Sequence, residues 1–253
     1  MNTEGKLRQR TRGKWRCILW KRICKFVEIE IPKIMITKSF KDWDSEEVEK
    51  VFGITRVWKT LTILEEWINT QNHPCPENPK IEELRDMLYL NTDAWNEDEL
   101  KMFFIAPLLS IVNFYHQPYY KSFTQRTLKI QTDTVDCKGD VEFLVATGRK
   151  NPEKPFFFLH EYKQEEQRTN DALGQLLIAM VAAQISNQDD MPLYGCYVLG
   201  RFWFFVVLDK DRYSVSNAYN ATNEDIYKIM YILEKMKSKV ESYFNLEKLK
   251  QDI

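Results

Sequence analysis

Apolar and polar positions follow two different rhythms along the chain, and they switch at recognisable punctuation. Asn96 precedes Glu97, Asp98 and Glu99, and an apolar run then continues to Val112. This pattern predicts a helix capped by Asn96, with acids in the first turn facing the positive end of its dipole. Pro107 falls inside the run and should kink it. Strand-like segments follow at Leu128–Gln131, Thr134–Ala146 and Pro155–Lys163. A second helix, capped by Thr169 or Asn170, should extend to about Ser186 and stop at Asn187-Gln188-Asp189-Asp190. Leu193–Leu199 and Phe202–Leu208 read as two strands joined tightly at Gly200-Arg201. A closing helix from about Asn223 to Phe244 carries Ile226, Ile229, Met230, Leu233 and Met236 at helical spacing. A helix between the third and fourth strands implies a crossover. The expected fold is therefore α/β, a mixed β-sheet flanked by helices on both faces.

Upstream, Ser45 with Glu46 and Glu47 opens a helical pattern, Val57–Ile68 forms another, and Pro74, Pro76 and Pro79 end it. A further short helix is expected at Ile81–Leu90. These features divide the chain into a basic arm (1–34), an ancillary helical segment (35–94) and a main domain (95–253). The net charge of −1 conceals an asymmetry: Met1–Lys25 holds nine basic residues against Glu4 alone. Such an arm suits a solvated tail or a contact with nucleic acid phosphates, and Met35 offers an alternative start. The five cysteines are scattered, without a C-x-x-C pair, which disfavours a disulfide framework or a thiolate zinc site. No uninterrupted apolar run reaches the length of a membrane span or a secretory signal, so a cytoplasmic protein is expected. No phosphate-cradling G-x-x-x-x-G-K-[ST] occurs.

The chemistry gathers on the second and third strands. In Val135–Val145, alternation puts Val135, Cys137, Val141, Phe143 and Val145 on one face. Asp136, Asp140 and Glu142 then share the other face with Leu144. In the third strand, Phe157, Leu159, Glu161 and Lys163 share a face. The strand begins apolar on both sides, as a central buried strand does, yet ends in charge. A carboxylate and an ammonium buried together need a reason, because isolated burial of either is costly. Carboxylates on neighbouring strands beside a lysine form a hard-oxygen pocket suited to Mg2+ or Mn2+, and the lysine could orient a water or offset developing charge. A structural salt bridge is the competing reading.

Gly139-Asp140-Val141-Glu142-Phe143, followed by Phe158-Leu159-His160-Glu161-Tyr162-Lys163, resembles the core of PD-(D/E)XK nucleases. Glu97-Asp98-Glu99-Leu100-Lys101 with Ile105-Ala106-Pro107-Leu108-Leu109 is similar to the helix of the nuclease domain in type I restriction enzyme R subunits, with Lys101 where arginine is usual and Ala106 where aspartate is common. The resemblance spans about Asn96 to Leu208. It implies a restriction-endonuclease-like fold with an N-terminal helical extension, and magnesium-dependent hydrolysis of phosphodiester bonds, with DNA as the expected partner. It implies metal ligation by Glu142 and Glu161, with Asp140 able to replace or assist Glu142, and by the backbone carbonyl of Tyr162. Lys163 would act at the water. Glu97, or failing it Glu99, would complete the site, and Gln175 would approach it from the following helix, with Gln164 a weaker candidate. The alternative is a nuclease-like binding or interaction module without turnover. Other features are expected to be structural: His73, His116 and His160 lack ligand spacing, and Trp203, Phe204 and Phe205 suit an apolar hairpin. Tyr119, Tyr120, Lys121, Arg126 and Lys129 could line a nucleic acid surface or an ordinary loop.

Overall fold

A strand of alternating burial needs partners on both edges and cover on at least one face, and the helices of this chain supply that cover. The computed structural model describes residues 35–71, 78–163 and 171–246. The basic arm (1–34), His73, Pro74, Pro76, Gln164, Thr169, Asn170 and the side chain of Leu159 lie outside the described residues. In chain order the elements are β1 (Ile36–Ser39), α1 (Ser45–Phe52), β2 (Thr55–Arg56), α2 (Thr62–Ile68) and α3 (Pro79–Asn91). Next come α4 (Glu97–Leu100), a π-helical stretch (Lys101–Ile105) and α5 (Ala106–Val112). They are followed by β3 (Tyr115–His116), β4 (Tyr120–Gln131), β5 (Val135–Thr147), β6 (Glu153–Lys163) and α6 (Ala172–Asn187). The chain then forms β7 (Leu193–Leu199), β8 (Phe202–Asp209), β9 (Arg212–Val215), β10 (Tyr219–Asn220) and α7 (Asp225–Tyr243).

The described strands form one mixed sheet in the order β2-β9-β8-β7-β6-β5-β4-β3, with β1 on β5 and β10 on β8. β6 and β7 run parallel, joined by the α6 crossover, while β4–β5, β5–β6, β7–β8 and β8–β9 are antiparallel. Helices cover both faces. Trp67, Phe104, Phe158, Trp203 and Met230 belong to a core under α2, α3, α5 and α7. Phe40, Trp43, Val48, Leu176 and Val206 belong to the core under α1 and α6. Trp67 anchors the first, with its indole edge-on to Tyr194 and Phe205 and its Nε1 donating to Ile232 O at 3.0 Å. Among the described residues no helix is long and apolar enough to cross a membrane.

Segment 35–94 is not a separate helical piece. Its β1 and β2 join the sheet in parallel with β5 and β9, and Ile36–Ile253 forms one unit. Close approach explains how α1 docks. A Cβ on Gly174 would stand 2.6 Å from Trp43 O and 2.7 Å from Asp44 Cα, so glycine lets α6 touch bare backbone. The Asp171 carboxylate accepts from Ser45 N at 2.8 Å, tying the start of α6 to the start of α1. Gly139 serves similarly, because a Cβ there would collide with the Phe40 side chain.

Strict alternation fails in β4 and β5. Val135, Cys137 and Val141 pack in the core under α6, but Phe143 and Val145 pack in the opposite core, and Leu144 joins the first group. β4 switches likewise, since Phe123, Leu128 and Ile130 all pack under α6 despite unlike parity. The register puts the switch at one place, between the pairs Thr124–Phe143 and Arg126–Val141. Gln125 there has φ +51°, a left-handed backbone that rotates the strand. In β6 a register shift near Ala146 leaves Phe157 packed against Tyr243 and Phe244.

Candidate active site

The helix from Glu97 begins as its sequence suggests. Asn96 accepts from Glu99 N at 2.9 Å while the Glu99 carboxylate accepts from Asn96 N at 2.8 Å, a reciprocal capping box. Glu99 is thereby committed to the helix end, and Glu97 remains to face the sheet. The helix then widens into its π stretch before Pro107, rather than kinking at the proline itself.

β5 and β6 pair only as far as Phe143 and His160. Continuing that register would bring Glu142 opposite Glu161, so the two carboxylates stand where the strands part. On the same edge, the beginning of β5, Val135–Lys138, is taken by β1, while β4 runs along the opposite edge. Between the β1 and β6 contacts a short bend that includes Glu142 has no strand partner on this edge among the described residues. β6 runs on alone against β7 and carries Glu161, Tyr162 and Lys163 into the gap.

Four charged groups meet Lys101 and Lys163 here. Lys163 Nζ lies 3.1 Å from Glu161 Oε1 and 3.7 Å from Glu97 Oε2. Lys101 Nζ lies 2.7 Å from Glu97 Oε1 and 3.1 Å from Glu142 Oε2, with Asp98 at 3.9 Å. The Gln125 amide donates to Glu142, and the Tyr162 hydroxyl also hydrogen-bonds that carboxylate. The Lys101 ammonium sits 4.8 Å from the Tyr162 ring centroid. Glu161 and Lys163 are only 6 % and 8 % exposed.

Burial pushes the Glu161 carboxyl up to about 7; Lys163 pulls it down, while Glu142 and Glu97 push it further up. Burial also pushes the Tyr162 hydroxyl well up, and the surrounding carboxylates add to that. Burial works against the Lys101 ammonium, yet its hydrogen bonds to Glu97 and Glu142 outweigh it and raise its pKa. Glu97, Glu142 and Glu161 outnumber Lys101 and Lys163, so the cluster holds an excess of negative charge.

The structure thus brings together Glu97, Glu142, Glu161 and Lys163. Asp140 is elsewhere: it is exposed and hydrogen-bonded to Thr127. Gln175 is buried on α6, and its amide nitrogen has no hydrogen-bond partner among the described residues. Two residues were missed by sequence reasoning, Lys101 as a group of the site and Gln125. Lys101 has a signal, since it lies four residues after Glu97 on the same helix face; Gln125 has none. Tyr162 enters the cluster through its hydroxyl and ring.

Other candidates resolve into structure. His160 is fully buried among Phe143, Phe158, Tyr162 and Trp203, and burial lowers its pKa to about 3. Trp203 is core, and so is Tyr120, whose hydroxyl donates to Glu241. Lys129 pairs with Asp136, and Lys121 donates to Arg149 O.

The donor set fits a hard divalent cation by chemistry, because it offers carboxylate oxygens whose mutual repulsion a cation would relieve. In the geometry at hand, however, no three His, Cys, Asp or Glu side chains among the described residues converge as ligands. Lys101 and Lys163 stand between the carboxylates instead. No family model matches the chain, and no curated protein matches it.

Proposed function

We propose that this chain is a magnesium-dependent nuclease that hydrolyses phosphodiester bonds, with DNA as its polymer. The observation that carries the reading is the position of Glu142 and Glu161 at the parting of β5 and β6, with Lys163 3.1 Å from Glu161. The restriction-endonuclease-like arrangement and the resemblance of Gly139–Phe143 and Phe158–Lys163 to PD-(D/E)XK cores are parts of the same proposal. Glu142 and Glu161, with Glu97, would hold Mg2+ or Mn2+. That ion, when bound, supplies Lewis acidity at the phosphoryl oxygen and lowers the pKa of a coordinated water.

The protein's own groups do the rest. Lys163 directs its ammonium to the attacking water and to the charge that builds on the phosphate oxygens. Gln125 and the Tyr162 hydroxyl hold the Glu142 carboxylate in place. Lys101 partly neutralises Glu97 and Glu142 before substrate arrives. Cys137 and Cys196 are free and buried, which suits the reducing cytoplasm we propose as its compartment.

A second reading has one observation in its favour. Each carboxylate of the cluster already has an ammonium partner, so the network could be a self-contained structural feature of a nucleic-acid-binding or interaction module. Cleavage of labelled linear DNA, single-stranded and duplex, with magnesium or manganese separates the two. The nuclease reading expects cleavage by the wild type and its loss in Glu161→Ala and Lys163→Ala. An inactive wild type, or activity that survives both substitutions, refutes it.

A further inference from the structure

An open cleft of about 860 Å3 adjoins the carboxylates, and Glu142, Lys101 and Tyr162 form one end of it. The rest of the cleft differs chemically from that end. Its depth is apolar, with Phe114 and Phe143 both buried in the main core and Leu109 beside them. One rim is a stripe of the π stretch and α5 at helical spacing, Met102, Ala106 and Ser110. Facing it, β4 offers short polar side chains, Ser122 and Thr124. Tyr115 is 57 % exposed and Met102 67 %, so an aromatic and a thioether stand in solvent at the mouth. Asn113 (φ +57°) is the left-handed cap that ends α5, and across the cleft Gln125 (φ +51°) takes a left-handed backbone inside a strand without glycine. Such strain persists where surrounding structure holds a site in shape.

Charge decides what can enter. Lys101 is the one cation among the described lining residues, and it is taken up by Glu97 and Glu142. Asp98 and Glu142 line the same cleft. A phosphate would meet two acids and no free counter-charge, so the occupant is neutral. It is also flat and amphipathic, with an apolar face for Phe114, Phe143 and Tyr115 and hydrogen-bonding edges for Ser122 and Thr124. A nucleobase has this chemistry, and the open cleft leaves room for the strand that carries it.

We infer that the cleft is a base subsite: it takes one unpaired nucleobase of the substrate strand, beside the Glu142 and Glu161 cluster where the cation of the proposed nuclease would receive the scissile phosphodiester. A base paired and stacked in closed duplex cannot enter, so the favoured substrate is single-stranded, frayed or locally opened. This inference rests on the nuclease reading but is tested without turnover.

Fluorescence anisotropy of the full chain with a short labelled oligodeoxynucleotide, in chelator and in calcium, provides the test. Three probes carry the same labelled backbone: the single strand, that strand annealed to its full complement as a blunt duplex, and the strand with abasic positions. The base-bearing single strand should bind about tenfold more tightly than either other probe, as expected for one stacked base. Ala106→Trp, which fills the cleft from an exposed helix position, and Tyr115→Ala, which removes the aromatic rim, should each abolish that preference. Their circular dichroism and melting should stay at wild-type values. Equal binding of base-bearing and abasic strands, or a preference unchanged in both variants, overturns the subsite. If the preference appears but magnesium and manganese give no cleavage, the subsite stands and the nuclease reading falls. If closed duplex is cut as fast as single strand and abasic positions make no difference, the reverse holds.

Discussion

Glu161→Gln should make the metal-free protein more stable at alkaline pH and leave it unchanged at acidic pH. Burial is the largest reason that the Glu161 carboxyl is pushed from an ordinary 4.5 up to about 7. The groups that face it are Lys163 on its own strand, Glu142 from β5 and Glu97 from α4; α6, packed on the same face, brings no ionisable side chain. A carboxyl whose pKa rises on folding binds its proton more tightly in the folded state. Stability is therefore fully present below about pH 4.5 and is lost as pH climbs through about 7. At about 1.4 kcal/mol per unit, the loss is about 3–4 kcal/mol. Glutamine imitates the protonated carboxyl and escapes the loss, which at about 2–4 °C per kcal/mol is a melting difference on the order of 10 °C. Urea or thermal melts in chelator, from about pH 4 to about pH 8, measure it. Magnesium should narrow the gap at alkaline pH by stabilising the wild-type carboxylate alone. A variant no more stable than wild type at any pH would sink the reasoning. So would a gap that persists at about pH 4, since packing rather than charge would then be its cause.

Glu142→Gln should lower cleavage about 100-fold or more, whereas Asp140→Asn should stay near wild type, because only Glu142 reaches the cluster; kinetics with one labelled strand compare them. His160→Phe should retain cleavage and gain about 1 kcal/mol in urea melts, because neither ring nitrogen has a hydrogen-bond partner among the described residues and the cavity is aromatic. The wild type should also lose stability relative to that variant as pH falls below about 6.5, since burial holds His160 near 3 and so favours its neutral form. Gly174→Ala should cost about 3 kcal/mol, visible as a lower urea midpoint, because the new methyl meets the Trp43 and Asp44 backbone at 2.6–2.7 Å.

Elements whose signal is local were legible in the sequence. β7 and β8 match to within a residue, since two short apolar runs on either side of Gly200, which takes φ +56° at the turn, need no distant partner to be read as strands. The Asn96 cap is likewise written in four residues. Elements that exist only through tertiary pairing were not. β1, β2 and β10 are too short to show a period, and their strand character comes from pairing with β5, β9 and β8. For the same reason segment 35–94 reads as helices and loops until its strands meet the sheet.

The site was legible where it depends on parity within one strand and obscured where two strands turn together. Glu161 and Lys163 sit two residues apart on a strand whose end stays regular, so alternation alone pairs them. Glu142 sits at a switch of faces that it shares with Gln125, and no rule of period two survives a left-handed residue in the facing strand. Alternation therefore put Leu144 beside Glu142 and could not tell Glu142 from Asp140. The bend makes that choice: Asp140 lies before it and stays with Thr127 on the exposed surface, while Glu142 lies on it and is carried to Lys101. Lys101 depends on the same bend, since its helix neighbour Glu97 gives it one partner by spacing and only the turned β5 gives it the second. Straightening β4 with a residue that refuses the left-handed region at Gln125 should thus disperse the cluster without touching any charged group in it.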